Sequence, residues 1–184
     1  MPANTTQQEF HLMLQNLLIE RFRIRLHHEM RTFRSYDLVV APGGPKLRKS
    51  ADPEGVDAVV DKVPRMDSDG FPILPPGRGM VRVRGEDGTY ATFRNYSITE
   101  LIQVLIVPEV TRERGVPAPV EDRTGLTGRY DFRLRFSSPE VGAVSSQPSL
   151  FRAVEQLGLR LVGGRQSQVD MIVIDHAEKS PIQN

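Results

Sequence analysis

Residues 120–136 read V-E-D-R-T-G-L-T-G-R-Y-D-F-R-L-R-F, and the second half of the stretch alternates without interruption. Tyr130, Phe132, Leu134 and Phe136 fall on one side, and Arg129, Asp131, Arg133 and Arg135 on the other. A period of two describes a half-buried strand, so the segment predicts four large apolar side chains in a core and a charged face toward solvent. Gly125 and Gly128 supply backbone freedom for the turn into it. No catalytic device is recognisable here. The stretch decides the architecture and leaves the chemistry open.

Upstream, Ser97 and Glu100 have the spacing of a capping box, and Ile98, Leu101, Ile102, Leu105 and Ile106 follow at offsets of 0, 3, 4, 7 and 8. This predicts an amphipathic helix, which Pro108 should end at Val107 by disfavouring helical geometry there. Before it, 80–84 and 89–95 read as a hairpin around G-E-D-G at 85–88. The same helix signature opens the chain: Thr6 and Glu9 form a capping box before Phe10, Met13, Leu14, Leu17 and Leu18. From Phe22 the period changes to two, with Phe22, Ile24, Leu26, His28 and Met30 opposite Arg23, Arg25, His27, Glu29 and Arg31. A second strand is expected at 35–41. Near the C-terminus, Leu150, Phe151, Val154 and Leu157 share a helical face, and Gly158 is placed as a stop. Strands are expected at 159–162 and 169–175, with a turn beginning at Gly163-Gly164; the tail from Glu178 is polar. Helix, strand, strand thus occurs three times, starting near 7, 97 and 148. The expectation is an α+β fold in which amphipathic helices pack on a mainly antiparallel sheet.

The 184 residues suit a single domain, 1–184, with a hydrophobic core of its own. Between 42 and 78 the patterning breaks, and this Pro/Gly-rich loop holds seven of the fourteen prolines. A connection of that length inside a domain marks a functional or mobile loop. Residues 56–63 could add a short strand or helical turn to it. The formal charge of +1 creates no whole-molecule field to recruit nucleic acid or membrane, although arginine outnumbers lysine twenty to four. The absence of cysteine excludes disulfides, thiolate catalysis and cysteine-built zinc sites. The longest apolar run, 101–107, is far too short to span a bilayer, and no basic-then-apolar signal-peptide pattern opens the chain.

Six ordered strings carry a resemblance. They are M-L-Q-N-L-L-I-E-R-F at 13–22, Y-D-L-V-V-A-P-G-G-P-K-L at 36–47, D-G-F-P-I-L-P-P-G at 69–77, D-R-T-G-L-T-G-R-Y-D-F at 122–132, S-L-F-R-A-V-E-Q-L-G-L-R-L at 149–161 and V-I-D-H-A-E-K-S at 173–180. Together they resemble the soil-associated acidobacterial (Solibacter-type) family of uncharacterised proteins, a domain of unknown function. The match runs from about Pro2 to the C-terminus; the helix at 97–107 and the following E-V-T-R-E-R-G-V-P-A fit less closely. The resemblance implies an exported precursor with a signal peptide and a preceding segment, of which this chain is the C-terminal part. P-A-N-T-T-Q-Q-E-F then reads as interior to a longer chain. Related domains occur attached to membrane metallopeptidases resembling β-lactam sensors. The family brings no catalytic residues to carry over.

The candidate chemistry is sparse. His28-Glu29-Met30-Arg31-Thr32 begins like a helical zinc-protease motif but has Thr32 where histidine is required, and on a strand His27 and His28 face opposite ways. Asp67-Ser68-Asp69-Gly70 resembles a calcium loop whose remaining ligands fail, since Arg65 and Pro76 stand where acids are needed; a solvated turn is expected. Gly77-x-Gly79 lacks the third glycine of a dinucleotide fingerprint. Asn4 and Asn95 open triplets that match glycosylation acceptors. Asp175-His176 could orient a general base, but no nucleophile motif completes it.

The arginines offer more. Arg23 and Arg25 share one strand face, and Arg129, Arg133 and Arg135 another; neighbouring strands would make a basic stripe for an anionic polymer. Glu29, Asp37 and Asp131 on the same faces favour ion-paired, solvated surfaces instead, and the aromatic side chains are assigned inward. The leading expectation is therefore a non-enzymatic, exported binding or protein-interaction module, working outside the cytoplasm with a protein or small-molecule partner. No cofactor, metal or nucleic acid is expected. The alternatives are a hydrolase-type site formed by Asp175, His176 and the 42–78 loop and, more weakly, an anionic-polymer binder. Arg23, Arg25, Arg129, Arg133, Arg135 and His176 are the candidate binding residues.

Overall fold

The computed structural model describes residues 5–51, 64–77, 79–137 and 147–181. The strand or helical turn expected at 56–63 lies outside the described residues, as does Asn4. The chain divides into two compact units, Met1–Thr32 with Gln168–Asn184, and Phe33–Ser167. The fold is α+β, as the alternation of helical and strand periods requires.

The second unit contains the core. Strands β3 (Gly79–Gly85) and β4 (Gly88–Tyr96) form the expected hairpin, closing with Gly85 opposite Gly88. With β2 (Arg48–Lys49) and β6 (Tyr130–Phe136) they make an antiparallel sheet in the order β2-β6-β4-β3. The alternation in β6 is obeyed: Tyr130, Phe132, Leu134 and Phe136 are buried, while Arg133 and Arg135 are exposed. Phe132 stacks on Phe93 with ring centroids 4.7 Å apart. Their sheet face packs on a helical run and on α4 (Leu150–Gln156), whose Leu150, Ala153 and Val154 complete the cluster. Beyond α4, Gly158 has φ +71°, and a Cβ there would lie 2.2 Å from the Gly44 carbonyl oxygen.

That helical run corrects one expectation. It begins at the Ser97/Glu100 capping box with α2 (Ile98–Leu101), widens into a π-helical segment (Ile102–Ile106) and continues as α3 (Val107–Arg114) through Pro108. In the π segment the Val107 N–H bonds the Ile102 carbonyl, five residues back. The wider turn relieves the clash that the Pro108 ring would make with an α-helical carbonyl, so the proline opens α3 instead of ending the helix. The extension places Glu109, 4% exposed, among Arg82 at 2.8 Å, Arg84 at 3.8 Å and the neighbouring Arg112.

The strands flanking the sequence correct another. The pairs expected at 22–31 with 35–41, and at 159–162 with 169–175, are single long strands, β1 (Arg25–Val40) and β7 (Leu159–His176). The expected strand pairs of the first and third repeats are thus each replaced by one strand, whereas two strands, β5 (Val120–Asp122) and β6, do follow the helical run. Gly163-Gly164 does not turn the chain. A Cβ on Gly164 would stand 2.7 Å from Ser35 Oγ and 2.9 Å from Asp37 Oδ1, so the glycine allows β1 and β7 to approach closely. Ser35 Oγ donates to the Arg165 carbonyl across that approach. The three-stranded sheet has the order β5-β1-β7, with β5 parallel to β1.

The first unit comprises α1 (Gln7–Arg21) and the adjoining ends of β1 and β7. The Thr6/Glu9 capping box is formed, with Glu9 N–H donating to Thr6 Oγ1 at 3.2 Å and Thr6 N–H to Glu9 Oε2 at 2.8 Å. The turn out of α1 holds Arg23 at φ 45°, a strained value for a residue with a Cβ. The Glu178 N–H bonds the Phe22 carbonyl at 2.8 Å, and the Arg23 guanidinium meets the Glu178 carboxylate at 3.2 Å.

Candidate functional site

The candidate arginines are divided between two units, and β1 and β6 belong to different sheets. Arg23 is paired with Glu178, and Arg25 lies exposed at the start of β1; both belong to the first unit. Arg129, Arg133 and Arg135 belong to the second. Arg129 precedes β6 and turns to its own sheet: its Nε donates to the carbonyl and to Oδ1 of Asn95, and its Nη2 lies 3.0 Å from Glu100 Oε2. Asn95, at φ 59°, sits where the β4–β6 register shifts between Phe93 and Tyr96. Arg129 is thus half-buried packing around a β-bulge. Arg133 and Arg135 remain on the outer sheet face, where their guanidinium carbons lie 5.3 Å and 5.9 Å from the ring centroids of Phe71 and Tyr90. These two rings are the outward aromatic partners that the alternation of β6 could not reveal.

A cavity of about 300 Å³ opens on this outer face, lined by Arg48, Thr92, Phe93, Arg94, Asp131, Phe132 and Arg133. Strand pairing assembles it: Arg48 stands opposite Asp131, and Thr92 opposite Arg133. Arg48 Nη2 donates to Asp131 Oδ2 at 3.0 Å, while Asp131 Oδ1 accepts from the Asn95 N–H at 2.9 Å. Arg94 donates to the carbonyl oxygens of Leu74 and Pro75. Arg133 donates to Asp67 Oδ2 at 2.7 Å. Arg48 on β2 and Thr92 and Arg94 on β4 carry no local signal of a shared cavity, because only the pairing of both strands with β6 brings them together.

Asp67 organises the expected turn. Its Oδ1 accepts from the N–H groups of Phe71 at 2.9 Å and Asp69 at 3.0 Å. The Phe71 N–H above all, then the Asp69 N–H and the Arg133 guanidinium, hold the carboxyl below its ordinary range. Among the described residues no three His, Asp or Glu side chains stand close enough to share a metal ion.

In the first unit, Asp175 pairs with His27 at 2.9 Å, not with His176, and Asp170 pairs with His28 at 2.9 Å. All four side chains are about half exposed. His176 is exposed, and no side-chain hydrogen bond or ion pair joins it to another described residue. The Asp175–His176 dyad imagined for a general base is therefore not formed.

The other feature of this unit is apolar. Phe10, Met13, Leu14, Leu17 and Leu18, the expected buried face of α1, are 40–50% exposed, and Leu12 is 58% exposed. One groove of about 470 Å³ is lined by Phe10, Met13, Leu14, Asn16, Leu17 and Glu20. A second, of about 340 Å³, lies where Leu14, Leu18 and Ile19 meet Ile24, Leu26, Ile172 and Ile174. Among the described residues no helix is long and apolar enough to cross a membrane, which says nothing of a barrel of strands.

Neither a curated protein nor a solved structure matches the chain. One family model does, over residues 1–177, which takes in the whole second unit and the first as far as Ala177, with all six candidate binding residues. On that extent the chain belongs to the family described as "Protein of unknown function (DUF3738)".

Proposed function

We propose that this chain is a non-enzymatic protein-interaction module, exported from the cytoplasm, that meets its partner through α1. The observation that carries the reading is the row Phe10, Met13, Leu14 and Leu17, left half exposed on a helix that is apolar on most of its sides. Such a helix is ordinarily covered, and contiguous apolar surface on a folded chain marks an interaction site. The groove also contains Glu20, whose carboxylate has no ion-pair partner among the described residues. The complementary partner is an apolar segment of another protein with a lysine or arginine placed to meet Glu20, lying along the helix as apolar segments lie in grooves. Export rests on the resemblance of the six sequence strings to a family of secreted proteins.

The test begins with stoichiometric capture of a partner from the extracytoplasmic fraction, followed by titration of that purified partner. The double variant Met13→Glu, Leu17→Glu should bind at least about tenfold more weakly with an unchanged melting temperature, and Glu20→Lys should weaken binding on its own. Equal binding by the double variant would remove α1 from the interface. Turnover that survives repurification and disappears on a single-residue change would overturn the non-enzymatic reading. Recovery of the native protein from the cytosol would overturn export.

A further inference from the structure

We propose that the cavity on the outer face of the β2-β6-β4-β3 sheet binds a small free oxyanion, a carboxylate or phosphate group on a compact molecule. Three guanidinium groups line it, those of Arg48, Arg94 and Arg133. Two carboxylates oppose them, Asp131 on Arg48 and Asp67 on Arg133. Among the described residues, three cations less two anions leaves one positive charge, that of Arg94, whose acceptors are the neutral carbonyl oxygens of Leu74 and Pro75. Asp131, the one carboxylate in the lining, is paired with Arg48 and accepts from the Asn95 N–H. A guanidinium has five N–H donors in a planar fork suited to oxyanions, and these hydrogen bonds use two on Arg94 and one each on Arg48 and Arg133.

Thr92 provides the independent indication. It is 9% exposed, and its Oγ1 is a buried side-chain oxygen without a hydrogen-bond partner among the described residues. Buried hydroxyls in folded proteins are nearly always paired, because desolvation without a partner is costly. Thr92 itself lines the cavity, next to Arg94 on its strand and opposite Arg133 in the strand pairing. With Thr92 turned about χ1 so that Oγ1 faces the cavity, a bound oxyanion would accept from that hydroxyl and from the guanidinium forks together. About 300 Å³ lies at the small end for ligand pockets and suits a compact metabolite rather than a polymer strand. The site lies wholly within the second unit and is independent of α1.

Inorganic phosphate and succinate, each added to the full chain against sodium chloride of equal ionic strength, provide the test. At least one should raise the melting temperature saturably, by about 5 °C at roughly a hundred times its Kd. Which of the two binds identifies the oxyanion. Thr92→Val should weaken that binding about tenfold by calorimetry while leaving the ligand-free melting temperature unchanged or higher, since the methyl group removes the unpaired hydroxyl. Arg94→Gln should weaken it at least as much. The exposed Arg48→Gln should fold normally and lose affinity to a smaller degree. No shift beyond the chloride control with either anion, or an undiminished affinity in both Thr92→Val and Arg48→Gln, overturns the proposal.

Discussion

Phe132 and Asp67 show how differently single residues act on the same sheet. Phe132 is buried on the core face and stacked on Phe93, so truncation removes both its transfer free energy and a ring contact. Phe132→Ala should destabilise the protein by about 3–5 kcal/mol in denaturant unfolding, the usual cost of a buried phenylalanine. A variant that unfolds at the wild-type midpoint would place that face of β6 outside the core. Asp67, at the surface, acts through charge. The N–H groups of Phe71 and Asp69, with Arg133, stabilise its ionised form, so its folded pKa lies below the unfolded value near 4. Its contribution is therefore complete above about pH 4 and is lost as pH falls through the lowered folded value. In an acid titration followed by NMR, the Asp67 carboxyl should protonate below the ordinary carboxylate range. Asp67→Asn should flatten the acid limb of the stability curve, and an unchanged limb would refute the assignment.

At the scale of elements, the β4–β6 pairing depends on a residue that resembled a ligand contact in the sequence. Arg129 bonds the Asn95 carbonyl and side-chain oxygen and reaches Glu100 at the start of α2, tying the bulge to the helix cap. Arg129→Ala should cost about 2–3 kcal/mol, the range for charge-assisted hydrogen bonds whose partners are left behind. Arg129→Lys should restore little of that, because an ammonium cannot reproduce the fork. If Arg129→Ala instead lowered affinity for an anion at wild-type stability, the residue would belong to the site and not to the bulge. The helical run shows the converse: Pro108, a stop signal when read locally, is absorbed by a π-helical segment because Leu105, Ile106 and Val110 are all fully buried against the sheet. Burial of that apolar face outweighs the local preference of the chain.

Across the whole molecule, stability is unevenly distributed. The hydrophobic cluster lies between positions 36 and 161, entirely within the second unit, and no described residue of the first unit is buried. A region with half-exposed apolar contacts opens at a lower free energy than a close-packed core. Amide hydrogen exchange should therefore find α1 less protected than β4 and β6 in the isolated protein, with α1 gaining protection when a partner covers Phe10, Met13 and Leu17. Equal protection of α1 and β6 in the free chain would mean that the first unit has an anchorage its exposed side chains do not suggest.

The sequence by itself determined the α+β class, both capping boxes, the 85–88 hairpin and the inward face of β6. Each of these depends on the spacing of residues close together in the chain, where helical and strand periods leave a direct trace. The tertiary structure alone decided that Gly163-Gly164 admits a neighbouring strand instead of turning, and that 25–40 and 159–176 are each one strand. It also decided that Arg129 supports a bulge while Arg48, Thr92 and Arg94 share a cavity. These outcomes depend on which distant segments pair, as positions 48, 92 and 131 do through β2, β4 and β6. Local periodicity tells which way a side chain points from its own strand; only the pairing of strands tells what it meets there.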